Sequence, residues 1–185
     1  MEKKTEVTPR LKPNFGAEEI AHIALKVRTD DDGNTIKEHT KVLGRLGTVL
    51  LGKMGQRIGE PFLASLNDQI ARHIRTNLFL IIREGWNGEY VAYQCLLRQV
   101  SYSLKEEKKP FVPKYYVHKI PSIKTWFEIV TMERMSREQM NRIYVLSSNR
   151  SIMSVVSSSA TMFRVGIEKS QSDSQLKNDG EKNES

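Results

Sequence analysis

The stretch NLFLIIREGWNGEYVAYQCLLRQV (77–100) holds two segments rich in aliphatic, aromatic and β-branched residues, which favour strands. Residues 77–83 and 89–100 flank Gly85-Trp86-Asn87-Gly88, and an Asn-Gly pair favours a tight turn between two strands. The stretch therefore predicts a β-hairpin, and Trp86 is predicted to lie at its tip.

Two patterns upstream of the hairpin predict a strand and a helix. Apolar residues alternate with other residues at Ala21, Ile23, Leu25 and Val27, which is the period of a half-buried strand. Pro61 suits the first position of a helix, and apolar residues then recur at helical spacing up to about residue 76. Residues 30–34 (DDDGN) between these two elements predict a turn.

The second half of the chain also mixes both periods. Residues 127–132 alternate as a strand, and Ser136 with Gln139 forms a capping-box pattern that predicts a helix over 137–147. Residues 154–167 are interpreted as a last, serine-rich strand. Prolines around residues 111–120 predict an edge strand or an extended loop there.

These elements indicate the α+β class, with a twisted antiparallel sheet packed against two or three helices. Residues 18–168 are predicted to form a single domain. Residues 1–17 are predicted to be a flexible basic arm, and residues 169–185 a disordered polar tail, because both are poor in apolar residues that could offset the entropy of ordering.

Charge and cysteine content narrow the class of function. The chain of 185 residues has 29 Lys and Arg against 22 Asp and Glu, which favours anionic partners such as nucleic acid or acidic lipid. Cys95 is the single cysteine, so an intrachain disulfide framework is excluded and a reducing compartment is expected. We interpret Cys95 as a small buried residue. Apolar runs are too short to cross a bilayer, so any membrane contact is expected to be peripheral.

The segment KVLGRLGTVLLGKMGQR (41–57) combines cations with apolar residues and has no carboxylate. Apolar positions fall on one side of a helix, while four glycines weaken that helix by roughly 1 kcal/mol each. Two interpretations stay open: a core helix with close neighbours, or a face that binds a membrane or another polyanion. The residues of that face are Lys41, Arg45, Lys53 and Arg57.

Three segments resemble rhabdovirus matrix proteins of the vesiculovirus type, in the same order and at comparable separations. They are AHIALKVRT (21–29), FEIVTMERMSREQMNRIYVL (127–146) and SATMFRVGIEKS (159–170). The resemblance implies a small basic protein beneath a viral envelope, which drives virion assembly and budding. Expected partners are other copies of the chain, the viral nucleoprotein–RNA complex, an anionic membrane surface and the tail of the viral glycoprotein. Expected locations are the virion, host cytoplasm and membranes, and the nucleus.

The basic N-terminal arm also fits this family, whose members contact membranes through such an arm. The cations concerned are Lys3, Lys4, Arg10 and Lys12, for which an ordinary solvated tail is the alternative interpretation. The chain departs from many members in one respect, since residues 8–16 (TPRLKPNFG) contain neither a PPxY nor a PTAP-like budding motif.

No catalytic, metal or cofactor site is predicted. The four histidines lack metal-site spacing, and neither a nucleophile elbow nor a phosphate-binding loop is present. Asp30, Asp31 and Asp32 are interpreted as a solvated turn rather than as cation ligands.

Aromatic residues give two further hypotheses. Trp86 is either an interface or membrane-insertion residue, or a ring folded over the sheet. Tyr115 and Tyr116 could stack on nucleic-acid bases, although edge-strand packing is the preferred interpretation. A small basic nucleic-acid-binding or viral accessory protein therefore remains the alternative function.

Overall fold

A computed structural model describes residues 19–27, 35–84 and 88–169. Seven strands lie in these ranges: β1 (His22–Val27), β2 (Val49–Met54), β3 (Asn77–Glu84), β4 (Glu89–Ser101), β5 (Ile123–Arg134), β6 (Ile143–Val145) and β7 (Met162–Ile167). The helices there are α1 (Thr35–Leu46), α2 (Glu60–Ala71), α3 (Arg137–Asn141) and α4 (Ile152–Val155), with two 3₁₀ segments, η1 (Glu106–Phe111) and η2 (Lys114–Ser122).

All seven strands form one sheet in the order β2-β5-β4-β3-β1-β7-β6. Each pair of neighbours is antiparallel except β1 and β3, which are parallel. The predicted α+β class is confirmed, and the sheet is mixed through this one parallel pair. The parallel pair arises because α1, β2 and α2 intervene between β1 and β3 along the chain.

The hairpin and the upstream elements match their predictions. Strands β3 and β4 pair in register from Asn77–Leu96 to Glu84–Glu89, and β1 occupies the predicted strand. Helix α2 has Pro61 in its first turn but ends at Ala71, five residues before the predicted end. It ends there because His73 adopts a left-handed conformation (φ 58°), which lets the backbone N–H of Ile74 donate to the carbonyl of Gln69.

The interpretation of residues 41–57 as one helical segment is wrong. Helix α1 ends at Leu46, Gly47 has a φ of 71°, and β2 follows. Apolar residues run on without a break through Val49, Leu50 and Leu51 because both faces of β2 are buried, and such a run also fits a helical period. Gly52 is required by packing, since a side chain there would overlap Ile123.

Three predictions in the second half also need correction. Residue 111 and residues 114–120 lie in η1 and η2 rather than in an edge strand or extended loop, and only residues 112–113 connect the two segments. The helix predicted over 137–147 has its capping box but ends at Asn141, because the next residues form β6 against β7. The strand predicted over 154–167 is limited to β7, because residues 154–155 end α4 and residues 156–161 connect the two elements.

The sheet separates three apolar clusters. On one face, α2 contributes Phe62 and Leu66 to a core that includes Phe127 of β5. On the other face, α3 and α4 cover a second cluster, and η1 and η2 cover a third that includes Trp126. Strand β5 thus anchors cores on both faces. Cys95 is fully buried, as predicted.

Candidate interface for an anionic surface

The lysine-rich end of the molecule comprises residues 35–60 and 105–124, which form α1, β2, η1 and η2 beside one edge of the sheet. It carries nine lysines and two arginines against four glutamates. The lysines are Lys37, Lys41, Lys53, Lys105, Lys108, Lys109, Lys114, Lys119 and Lys124. This excess of positive charge attracts phosphate and acidic lipid over several ångströms of solvent.

Tyr116 attaches η2 to the sheet edge. Its hydroxyl donates to the carbonyl oxygen of Leu50 at 2.7 Å and accepts from the backbone N–H of Gly52 at 3.1 Å. An edge strand exposes such groups to any pairing partner, so this hydroxyl closes the edge of β2. Burial raises the pKa of Tyr116, which keeps the hydroxyl protonated as a donor.

His39 of α1 supports this attachment from the side. Its ring stacks on Tyr116 at 5.5 Å between centroids, and Nδ1 lies 2.7 Å from the carbonyl oxygen of Thr35. Burial lowers the pKa of His39 to about 4, so the imidazole is neutral at physiological pH. Tyr116 is therefore committed to packing, in agreement with the preferred interpretation, although within a 3₁₀ segment.

Lys108 attaches η1 to the sheet face. Its Nζ lies 2.5 Å from Oε2 of Glu128 and 2.7 Å from Oε1 of Gln99. Glu128 is only 6% exposed, and Arg98 lies 3.6 Å from its other carboxylate oxygen. The cavity beside these groups has a volume of about 10 Å³, which is room for about one water. The cluster is therefore a structural anchor rather than a ligand site.

The four cations predicted from residues 41–57 divide into two pairs. Lys41 and Arg45 lie one turn apart on α1, and Lys41 pairs with Glu38 at 2.7 Å. Lys53 and Arg57 lie at and beyond the far end of β2. No single helix carries all four cations, because α1 ends at Leu46, Gly47 has a φ of 71°, and Lys53 lies in β2.

The second pair is held by local contacts. Nζ of Lys53 donates to the carbonyl oxygen of Gln56, and partial burial lowers its pKa. Arg57 pairs with Glu60 at 3.2 Å, and its guanidinium lies 4.6 Å from the ring centroid of Tyr102. Exposed pairs of this kind contribute little stability, but their cations still add to the potential of the surface.

Sequence reasoning missed the six lysines of residues 105–124 as a group. Their density within twenty residues is the available signal, whereas the prolines of this stretch indicate only an edge strand or an extended loop. The same end of the molecule also exposes three large apolar side chains. Leu46 is 39% exposed, Met54 49% and Val117 46%, and Ile20 is the fourth such residue among those described.

The Pua-like family model matches residues 26–165, more than half of the chain. The chain belongs to the Pua-like family. No match was found among curated proteins or among solved structures. The matched range runs from the end of β1 into β7 and so includes the whole lysine-rich end.

The remaining described residues of this Pua-like chain form its arginine-rich part. They carry nine arginines and only two lysines, Lys26 and Lys169. The sheet order places β2 and β6 at opposite edges, and six strand spacings separate these edges by about 29 Å. The lysine-rich end lies at the β2 edge, and the β6 edge belongs to the arginine-rich part.

Several predicted residues lie outside the ranges that the structure describes. These are Trp86, the aspartates 30–32 and the N-terminal cations Lys3, Lys4, Arg10 and Lys12. Within the described ranges, no cluster of three or more His, Cys, Asp or Glu side chains could hold a metal ion. No helix found there is long and apolar enough to span a membrane.

Proposed function

We propose that this Pua-like chain is a viral structural protein of the matrix type, which binds an anionic membrane through its lysine-rich end. The observation that carries the proposal is the combination on that end of many cations with exposed Leu46, Met54 and Val117. Peripheral membrane proteins bind in this way, since lysines attract acidic headgroups and apolar side chains enter the interface. The resemblance to rhabdovirus matrix proteins supports the same function.

The distribution of aromatic residues favours lipid over single-stranded nucleic acid. Proteins that bind single strands present aromatic rings on which bases stack. Among the described residues, every Phe, Tyr and Trp is buried or half-buried, and Tyr116 is fixed by its hydrogen bonds. The alternative, a small basic nucleic-acid-binding protein, is therefore kept as an outcome of the test.

The two edges of the sheet support a bridging role. A chain bound to lipid at the β2 edge presents the β6 edge of its arginine-rich part about 29 Å away, across six strand spacings. Arginines are frequent in protein–protein interfaces and in phosphate recognition. That part is our candidate surface for other copies of the chain and for the viral nucleoprotein–RNA complex.

Two variants with equal loss of charge test the membrane proposal. In the first, glutamine replaces four lysines of the lysine-rich end: Lys105, Lys109, Lys114 and Lys124. In the matched control, glutamine replaces four exposed cations of the arginine-rich part: Arg75, Arg137, Arg150 and Lys169. Each cation near an acidic surface contributes roughly 1 kcal/mol, so the first variant should bind vesicles at least about tenfold more weakly.

The measurement is flotation with vesicles that contain phosphatidylcholine and phosphatidylserine. We expect the control to bind within about twofold of the wild type, because its lost charges lie outside the lysine-rich end. Equal losses in both variants would mean that net charge alone drives binding, against an oriented interface. A wild type that shifts RNA in a gel but does not float would favour the alternative function.

A further inference from the structure

We propose that η2 enters the headgroup region of the membrane through Val117, with Met54 beside it. The inference rests on the proposed function and adds the orientation of the chain on the bilayer. Val117 is 46% exposed although it follows Tyr116, which is buried. One residue of η2 is thus fixed to the protein while the next presents an apolar side chain to the surroundings.

The attachment of Tyr116 holds Val117 in a defined position. Both hydrogen bonds of its hydroxyl go to β2, and the ring is stacked on His39. Tyr116 also has a non-helical conformation (φ −124°, ψ 19°), so η2 is kinked at this point. An apolar side chain that is held outward by a fixed backbone loses little entropy when it enters a membrane.

Met54 lies on the same edge. The backbone N–H of Gly52 donates to the hydroxyl of Tyr116, and Met54 is two residues further along β2, about 7 Å away. Met54 is also paired with Ile123, the residue that follows η2. Two of the exposed apolar side chains are therefore attached to one short stretch of the sheet edge.

Lysines surround this pair of apolar side chains along the chain. Lys53 precedes Met54, Lys114 begins η2, and Lys124 follows Ile123. Long lysine side chains can remain at headgroup level while shorter apolar neighbours enter below them. Leu46, by contrast, ends α1 and precedes the opposite end of β2, whose six residues span about 17 Å, so it is not part of this pair.

A fluorescent label at position 117 tests the contact directly. Cys95 is fully buried, and burial raises the pKa of its thiol, so a thiol-reactive NBD label should react selectively with a Val117→Cys variant. The matched control is Ser154→Cys, an exposed position on α4 in the arginine-rich part. We expect the NBD emission at position 117 to shift to the blue and rise severalfold on phosphatidylserine-containing vesicles, while the control stays unchanged.

Quenching by brominated lipids then reports whether the label has entered the bilayer. A full-length Val117→Ser variant without label should bind the same vesicles about fivefold more weakly, with an unchanged salt dependence, because only apolar contact is lost.

If the wild type floats but the two labels respond alike, the insertion proposal is overturned and the proposed function stands. Wild-type binding by Val117→Ser would also overturn it. A wild type that fails to float would overturn both proposals.

Discussion

The lysine-rich end and the arginine-rich part differ in what their cations do within the fold. In the arginine-rich part, guanidinium groups bind the protein itself. Arg134 pairs with Glu84 at 3.1 Å, Arg142 donates to the carbonyl oxygen of Glu168 at 2.6 Å, and Arg164 lies 4.1 Å from the ring centroid of Phe62. Planar guanidinium groups suit such contacts, because they combine several donors with a stacking face.

The lysine-rich end uses tyrosine, histidine and one lysine for internal attachment. Tyr116, His39 and Lys108 connect η1, η2 and α1 to the sheet, whereas Lys37, Lys105, Lys114 and Lys124 are exposed. The two cation types therefore differ in their contacts within the fold. Several arginines consolidate one part of the molecule, whereas exposed lysines at the other end are available to an anionic partner.

The largest expected effect compares two buried histidines, His39 at the lysine-rich end and His22 in the arginine-rich part. Burial lowers the pKa of each from 6.5 to about 4. Below pH 6.5 the unfolded chain takes up protons that the folded chain does not, so stability is complete above pH 6.5 and falls as the pH drops towards 4. For each histidine, the free energy of unfolding should fall by about 1.4 kcal/mol per pH unit below pH 6.5. The loss for each should reach about 3 kcal/mol near pH 4.

Urea unfolding between pH 7.5 and 4.5 measures this slope. His39→Gln and His22→Gln should each remove about half of the histidine contribution, whatever their effect on stability at pH 7.5. A full slope in either variant would show that the corresponding imidazole is already accessible to protons in the folded chain. The two variants therefore report separately on the burial of His39 and of His22.

The second prediction compares the tyrosines at the two sheet edges. Tyr116→Phe leaves the carbonyl of Leu50 and the N–H of Gly52 without their hydroxyl partner, which should lower the free energy of unfolding by about 2–3 kcal/mol. Tyr144 is half-buried near the β6 edge, and its hydroxyl lies 3.2 Å from the carboxylate of Glu19. Tyr144→Phe should therefore cost less than about 1 kcal/mol.

Urea unfolding at pH 7.5 gives both values, and size-exclusion chromatography adds a second measurement. Because Tyr116→Phe also reopens the edge of β2, we expect that variant to self-associate at high concentration, while Tyr144→Phe elutes as the wild type does. Equal stability losses at the two edges would contradict the view that Tyr116 closes the sheet.

Local sequence signals predict the elements in which a single hydrophobic period is accompanied by a recognisable turn or helix-start residue. The Asn-Gly hairpin, strand β1 and the start of α2 at Pro61 are of this kind. Elements set by tertiary contacts were missed. Residues 143–145 fit a helical period, but β7 offers them a strand edge, and pairing with β7 gives their backbone groups partners.

The sequence predicts the positive charge of the candidate site but not which cations lie together in the fold. The cations of residues 41–57 are obvious in the sequence, but their separation into two pairs depends on Gly47 and on the pairing of β2 with β5. The lysines of residues 105–124 join the same end because Tyr116 and Lys108 bind side-chain and backbone groups far away in sequence. Such long-range contacts leave no periodic signal.

The smallest effect concerns ion pairs. Lys108→Met removes the closest partner of Glu128, which is 6% exposed, and so leaves a buried carboxylate with only the more distant Arg98. We expect the free energy of unfolding to fall by about 1–2 kcal/mol, below the usual cost of breaking a buried pair because Lys108 itself is partly exposed. Arg134→Met removes an exposed ion pair with Glu84, and its free energy of unfolding should equal that of the wild type.

Urea unfolding at low and high salt separates the two ion pairs further. Salt screens exposed charges but screens a buried carboxylate poorly. The decrease in free energy of unfolding caused by Lys108→Met should therefore be about the same in 1 M NaCl as at low salt. If Lys108→Met is as stable as wild type, Glu128 must gain water or another cation, and η1 is then held by apolar contacts alone. In that case Lys108 joins the exposed lysines as a residue available to the membrane, and its replacement should weaken vesicle binding instead of stability.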